Sequence, residues 1–198
     1  GINRSGKRLL TVGTDVSVGK MFTALAVEHE MKKRGFDADF RATGQTGIFI
    51  AGTGVSIDAV VADFISGAVE WLCPENSENH WDIVEGQGSL FNVSYAGVTL
   101  GLIHGAQPDA LVVCHEAGRP HMRSMPHFPL IDLPTCIDVN LQAARLTNPD
   151  VRCVGAAVNT SRLSEEEGRV FCDKISQEIG LPAVDPLRDG VASLVDQI

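Results

Sequence analysis

Thr11–Met21, TVGTDVSVGKM, is the stretch on which the fold turns. Within it Gly13–Lys20, GTDVSVGK, is read as a match to the phosphate-loop pattern G-x-x-x-x-G-K. A short apolar run, Arg8–Val12 (RLLTV), precedes it, and Phe22–Gly35 (FTALAVEHEMKKRG) follows with apolar positions at helical spacing. Strand, glycine turn and helix in that order give the motif physical sense. Small residues let backbone N–H groups face an anion, the helix N-terminus adds positive potential, and Lys20 adds a mobile charge. The residues expected to hold phosphate are Gly13, Thr14, Asp15, Val18, Gly19, Lys20 and Met21. Met21 breaks the usual form, because the residue after the lysine normally offers a hydroxyl to Mg²⁺, and a thioether is a poor ligand for a hard cation. Phosphate gripping survives that change, whereas metal-assisted phosphoryl transfer is weakened. Thr23 is nearby but is expected to point elsewhere on the helix.

Outward from this stretch, strands and helices alternate. Asp37–Phe40 (DADF) reads as a strand, Arg41–Gly47 (RATGQTG) as a loop, and Ser56–Leu72 (SIDAVVADFISGAVEWL) as one long helix capped by Ser56. His80–Gly88 (HWDIVEGQG) and Asp109–Gly118 (DALVVCHEAG) are strands that each stop at an acidic residue. Cys136–Leu146 reads as a helix, Arg152–Asn159 as a strand, Ser164–Gly180 as a helix with acids in its first turn, and Leu181–Leu187 as a last short strand before a closing helix. Arg119–Pro134 holds four prolines and two histidines and is expected to be irregular. Apolar runs without alternation predict a parallel sheet covered on both faces, that is, an α/β, three-layer, doubly wound architecture.

At 198 residues and 44% hydrophobic content the chain is long enough for one domain with a sizeable core. Its net charge of -9 argues against broad binding to nucleic acid or to anionic membranes. No run of about 18 apolar residues marks a membrane span, and the start, GINRSGKRLL, does not read as a signal peptide. Five scattered cysteines without a CxxC pair read as reduced thiols, which fits the cytoplasm. A small-molecule substrate is the expected partner.

Chemistry-bearing residues gather at predicted strand ends. Glu85, beside Gly86, is a candidate general base. Arg41, Thr43, Gln45 and Thr46 follow the second strand and are expected on the rim of the phosphate loop, with Gly44 and Gly47 letting the backbone approach a ligand closely. His115, Glu116, Arg119, His121 and Arg123 form the densest polar cluster. His115 is a candidate acid or base, and Arg119 or Arg123 a fork for an amino-acid carboxylate. Zinc on His115, His121 and His127 matches no familiar spacing, and no metal site is expected. Asp58, His80 and His104 stay unassigned.

The order GTDVSVGK, RATGQTG, VEGQGS, VNTS resembles the dethiobiotin synthetase and cobyrinate amidase branch of P-loop NTPase-like proteins. That resemblance implies an ATP- and Mg-dependent carboxylate-activating enzyme, an adenine contact for Asn159, and for Asp15 a place facing solvent or a partner subunit. Departures from the branch are Met21 for threonine, Ala42 in place of lysine and Ser89 for the last glycine. A nearer resemblance covers the whole chain through 41–67, 84–90 and 112–123. These segments look like the C-terminal P-loop-like domain of a bacterial family long labelled as of unknown function, whose characterised branch comprises D-glutamate N-acetyltransferases. The resemblance implies acetyl transfer from acetyl-CoA to the amino group of a D-amino acid. It also implies a single domain over 1–198 that ends a longer protein, after an N-terminal Rossmann-like domain. Coenzyme A brings phosphates that need gripping but not hydrolysis, and this fits Met21. On either resemblance a homo-oligomer such as a dimer is expected; a non-catalytic nucleotide-binding module is the third alternative.

Overall fold

The computed structural model describes residues 4–198; the first three residues of the start, which is read above as no signal peptide, lie outside them. The elements run β1 (Lys7–Gly13), α1 (Lys20–Lys33), β2 (Ala38–Arg41), α2 (Gln45–Ala51), α3 (Ile65–Leu72), β3 (Trp81–Val84), α4 (Ala96–Ala106), β4 (Ala110–Glu116), β5 (His121–Met122), β6 (Met125–Pro129), α5 (Leu133–Arg145), β7 (Arg152–Asn159), α6 (Glu165–Ile179), β8 (Ala183–Val184) and α7 (Ala192–Val195). Six strands form one sheet in the order β2-β3-β1-β4-β7-β8, with every pairing parallel. The expected α/β architecture is therefore present.

The strands show why they read as unbroken apolar runs. Leu10, Val12, Val84, Leu111 and Val113 pack into one core with Val69, Leu102 and Ile103 of the helices α3 and α4, and with Cys136 of α5 and Ile175 of α6. Their neighbours Leu9, Ile83, Val112 and Cys114 pack into a second core with Val27 and Met31 of α1 and Leu194 of α7. Successive strand residues thus enter opposite cores, and both must be apolar. Each such side chain, once buried, contributes about 1.5–3 kcal/mol.

Local signals fix both ends of α6, the helix expected over Ser164–Gly180. Ser164 and Glu167 form a reciprocal capping box at the start of α6, and Gly180 closes it in the left-handed conformation at φ 67.

Four segments depart from the sequence expectations. Ser56–Leu72 is not one helix: two 3-10 turns, Ile57–Ala59 and Ala62–Phe64, precede α3, and Ser56 makes no side-chain cap. The amides of Val55 and Ile57 donate instead to the carbonyls of Ala42 and Thr43 at 3.1 and 2.9 Å, and Val60 and Val61 keep extended backbone, as β-branched residues favour. The segment after β2 is not a loop throughout, since α2 starts at Gln45. Arg119–Pro134 is not wholly irregular: β5 and β6 form an antiparallel hairpin, and Leu133 and Pro134 open α5 behind the Asp132 cap, which accepts from the Thr135 amide at 2.8 Å. In a two-stranded ribbon both strands are edges, so Pro126 and Pro129 sacrifice no interior ladder. Lastly, α4 had no counterpart in the sequence reading. Its three glycines lower helix propensity, but methyl groups at Gly101 and Gly105 would meet Ile65 and the Ser66 carbonyl at 2.4 Å, so close packing on α3 offsets the cost.

Arg4 ties the far end of this helix pair, donating to the carbonyls of Cys73 (2.7 Å) in α3's C-cap and of Gly105 (3.1 Å) and Ala106 (3.0 Å) in α4. That end is opposite the strands' C-terminal edge, where the candidate site residues collect.

Candidate functional site

Because all six strands are parallel, the residues that follow β1, β3, β4 and β7 emerge on one edge of the sheet. The chain winds outward from β1 to β2 on one side and continues through β4 on the other, so the crevice opens beside β1. A cavity of about 710 Å³ occupies it.

Its floor is the phosphate loop. Five residues separate Gly13 from Gly19, one more than G-x-x-x-x-G-K allows, and the path includes two left-handed residues, Ser17 at φ 54 and Gly19 at φ 106. Gly19 is the N-cap of α1 and makes no side-chain cap, and α1 has no acid in its first turn. Its first-turn amides therefore begin without the usual internal acceptors. Beneath them Thr11 bridges three elements: its hydroxyl accepts from the Gly86 amide at 2.9 Å and donates to the Lys20 carbonyl at 3.2 Å.

Lys20 is only 7% exposed, and its ammonium donates to the Asp15 carbonyl at 2.9 Å. Burial pushes its pKa down, opposed by the nearby Cys114 and Asp15. A buried ammonium held by a carbonyl, beside uncapped helix amides, is an arrangement completed by an anion. Met21 and Gly86 share the cavity wall. Thr23 supplies no substitute hydroxyl for the site: it is buried and accepts from the Cys114 thiol at 3.5 Å. Among the described residues no group of three or more His, Cys, Asp or Glu side chains is arranged to hold a metal ion.

Asp15 departs from the place facing solvent or a partner subunit that the synthetase resemblance implies, being fully buried within this chain. Its carboxylate accepts from Asn92 Nδ2 at 2.8 Å, Arg119 Nη1 at 2.9 Å and the Arg123 amide at 2.6 Å. Arg119 also donates to the carbonyls of Val16 (2.8 Å) and Ser17 (3.2 Å) and pairs with Glu116, whose other oxygen meets Arg162 Nε at 2.9 Å. Arg119 and Glu116 are thus committed to bracing the phosphate loop. The brace brings the β5–β6 turn to the cavity, where Arg123, Ser124 and Met125 form part of the wall. The Arg123 guanidinium has no partner among the described residues.

The remaining candidates divide between cavity and scaffold. Glu85 lines the cavity; its Oε2 accepts from the amides of Thr43 (2.9 Å) and Gly44 (3.0 Å), and its Oε1 from Gln87 Nε2 (3.1 Å). The glycines at 44 and 47 therefore make room for the side chains of Gln87 and Glu85, in place of the expected ligand. Thr43 is buried and donates to the Glu85 carbonyl at 2.6 Å, Gln45 and Thr46 are exposed outside the cavity, and Arg41 is held by Asp82 at 2.6 Å. Asn159 lines this cavity and an adjoining one of about 400 Å³, while its Oδ1 accepts from the Ser161 amide at 3.0 Å. Gly13, Thr14 and Val18 are buried members of the loop that do not line the larger cavity; the Thr14 amide donates to the Cys114 carbonyl at 3.1 Å, and Val18 borders the second cavity.

His115 is not on the wall of the larger cavity. Its Nδ1 lies 3.1 Å from the Thr14 hydroxyl, its ring is stacked on Phe171 at 6.1 Å, and burial, with Arg119 adding to it, pushes its pKa down to about 4. A depressed histidine pKa contributes stability that is complete above the ordinary value of 6.5 and is lost as the pH falls from there toward about 4. Urea titrations at pH 7 and pH 4.5 are expected to show a drop of roughly 2–3 kcal/mol that His115→Gln removes. Equal slopes for both proteins would refute it.

Asp58, Phe22 and Tyr95 on the cavity wall, and Asn92 behind Asp15, join the site only through the tertiary fold. Asn92 stands outside every motif, and only its contact with Asp15 reveals it.

Comparisons with known proteins bear on the chain as a whole. Residues 1–195 match a family described as "Domain of unknown function (DUF1611_C) P-loop domain". Two curated relatives carry the name D-glutamate N-acetyltransferase. One, from Pseudoalteromonas sp, is 60% identical over 195 residues, covering 98% of this chain and 59% of its own length. The other, from Tritonibacter scottomollicae, is 54% identical over 198 residues, covering 100% of this chain and 60% of its own length. The chain thus spans about three fifths of the curated relatives it matches. A crystal structure of a DUF1611 family protein from Anabaena variabilis superposes with a TM-score of 0.92 at 39% identity, over 98% of this chain and 57% of that one. Cobyrinic acid a,c-diamide synthase from Mycobacterium smegmatis, solved with ADP and magnesium, has a TM-score of 0.55 at 14% identity over 97% of this chain and 92% of that one, a likeness of fold alone.

Proposed function

The chain belongs to the DUF1611 P-loop domain family, and on that premise we propose that it is the donor-gripping part of a D-amino-acid N-acetyltransferase, with D-glutamate as acceptor and acetyl-CoA as donor. The observation that carries the proposal is the buried Lys20 ammonium, bonded to a carbonyl and set beside the uncapped start of α1. Coenzyme A presents a diphosphate to such a cup, and gripping it requires no magnesium ligand at Met21. Asn159, at the junction of the two cavities, faces the nucleoside end. Arg123 offers a planar fork to an acceptor carboxylate. The chemistry then needs an oriented, neutral amine and stabilisation of the oxyanion that forms on the thioester carbonyl.

This reading places the activity in a longer protein, like the relatives, working on small molecules in the cytoplasm, and assembled as a homo-oligomer such as a dimer. The five free cysteines fit a reducing compartment.

The test is calorimetric titration of the full-length protein with acetyl-CoA, CoA, ATP with Mg²⁺ and GTP with Mg²⁺, alongside a mass-spectrometric assay of D-glutamate acetylation. Acetyl-CoA and CoA are expected to bind, and Lys20→Ala to weaken them by about 10–100-fold, the worth of a charge-assisted hydrogen bond. Binding of ATP only with Mg²⁺, followed by ADP release with a carboxylate substrate, would overturn the proposal in favour of carboxylate activation.

A further inference from the structure

A D-amino acid enters the cavity as a zwitterion, so its ammonium needs a carboxylate as surely as its carboxylate needs Arg123. Two acidic side chains line the cavity, Glu85 and Asp58. Glu85 is 3% exposed, and both its oxygens already accept hydrogen bonds, two from backbone amides at 2.9 and 3.0 Å and one from Gln87 at 3.1 Å. A methyl group on Gly47 would lie 2.3 Å from Glu85 Oε2, so α2 closes over that oxygen. Asp58 is the opposite case. It stands exposed in the Ile57–Ala59 turn, on the same wall, with no hydrogen bond or ion pair among the described residues.

The geometry points to Asp58 as the group that takes the acceptor's ammonium and receives its proton, with Glu85 as the positioning residue behind it. The two are joined by backbone. Glu85 holds the Thr43 amide, the Thr43 carbonyl accepts from the Ile57 amide at 2.9 Å, and Asp58 is the next residue. The segment that carries Asp58 is thereby fixed to the end of β3. The other titratable or charged groups on the cavity wall are Lys20, Tyr95 and Arg123; Lys20 serves the donor's phosphates and Arg123 the acceptor's carboxylate.

The inference rests on the N-acetyltransferase reading, and the step balances within it. Asp58 removes one proton from the ammonium and leaves a neutral amine. The amine nitrogen bonds to the thioester carbonyl carbon, the C–S bond breaks, and a second N–H proton goes to the departing thiolate. Asp58 then releases its proton to solvent.

The experiment is steady-state kinetics of the full-length protein with D-glutamate and acetyl-CoA from pH 6.5 to 10, for wild type, Asp58→Asn and Glu85→Gln, with melting curves and CoA titrations for each. Asp58→Asn is expected to lower kcat/KM for D-glutamate by about 10²–10³-fold at neutral pH while leaving the melting curve and CoA affinity unchanged. Its deficit should shrink as the pH nears the amine's own pKa, where solution chemistry supplies the neutral amine. A purely structural role for Asp58 would give no such recovery. Glu85→Gln is expected to lower kcat more than CoA affinity, without recovery at high pH. An Asp58→Asn variant as active as wild type throughout, or equally impaired at every pH, would overturn the assignment of Asp58 alone. A folded wild type that binds CoA but acetylates no D-amino acid would instead overturn the N-acetyltransferase reading, and the role of Asp58 with it.

Discussion

Gly86→Ala is expected to cost about 3 kcal/mol or more, enough to leave much of the protein unfolded at 37 °C if its stability lies near the bottom of the usual range. The residue is not in a left-handed conformation, so the reason is space alone. A Cβ at this position would sit 1.6 Å from the Thr11 carbonyl oxygen and 3.1 Å from Lys20 Cδ. The neighbour that must yield is backbone in β1, which is hydrogen-bonded on both edges, to β3 and to β4, and cannot shift without disturbing both ladders. Movement at Gly86 would also break its amide's bond to the Thr11 hydroxyl at 2.9 Å, the contact that couples the end of β3 to the start of α1. Gly97→Ala in α4 is the matched control. Nothing lies within 4 Å of its Cβ position, and alanine there is expected to be neutral or stabilising by up to about 1 kcal/mol. Chemical denaturation of the two variants is the measurement; a loss of less than about 1 kcal/mol for Gly86→Ala would contradict the geometry.

The same glycine shows which features the sequence carried and which it did not. The strand–loop–helix at Thr11–Met21 was legible because local pattern and tertiary role coincide: apolar runs that fill two cores also read as strands, and a helix start that holds anions also reads as glycine and lysine. The long segment from Ser56 does not read correctly because extended Val60 and Val61 split it into two 3-10 turns ahead of α3, and its start is pinned through the Ile57 amide to the Thr43 carbonyl, a tertiary contact that no periodicity records. α4 went unseen for the converse reason: its glycines argue against a helix locally and are required by α3 globally. At the site, charged residues announced themselves but their employment did not. Arg41, Glu116 and Arg119 spend their charges on Asp82, Arg162, Asp15 and the phosphate-loop carbonyls, whereas Arg123, a carboxylate candidate by sequence, and Asp58, unassigned by sequence, have no side-chain partner among the described residues.

Asp15→Ala should be the most damaging change to the site that leaves the cavity-facing side chains untouched. It removes the acceptor of three hydrogen bonds and strips one carboxylate from Arg119, whose side chain is 9% exposed against 0% for Asp15. Breaking one partner out of a buried pair costs about 3–5 kcal/mol. Function should fall with it, because the phosphate loop and the turn that carries Arg123 are held together through this carboxylate. Asp15→Asn is a graded case. One amide oxygen can still serve Arg119 and the Arg123 amide, but its NH₂ group then faces Asn92 Nδ2. Asn92 can turn its own oxygen inward only by releasing the Ser94 amide, which it holds at 3.0 Å. The asparagine variant is therefore expected to lose about half as much as the alanine variant. Acid dependence separates Asp15 from His115. Burial alone would raise the Asp15 pKa, but hydrogen bonds from Asn92, the Arg123 and Val16 amides and Arg119 outweigh it and hold the group below its ordinary 3.8. A depressed carboxylate contributes stability that is present above the ordinary value and is lost as the pH falls through the folded one, so its loss belongs below about pH 4, after the His115 contribution has gone. Unfolding free energies of wild type and both variants, followed from pH 7 to pH 3, should begin to approach one another only in that lowest interval. An approach that already starts at pH 5 would mean that Asp15 is not held as an ion by these partners.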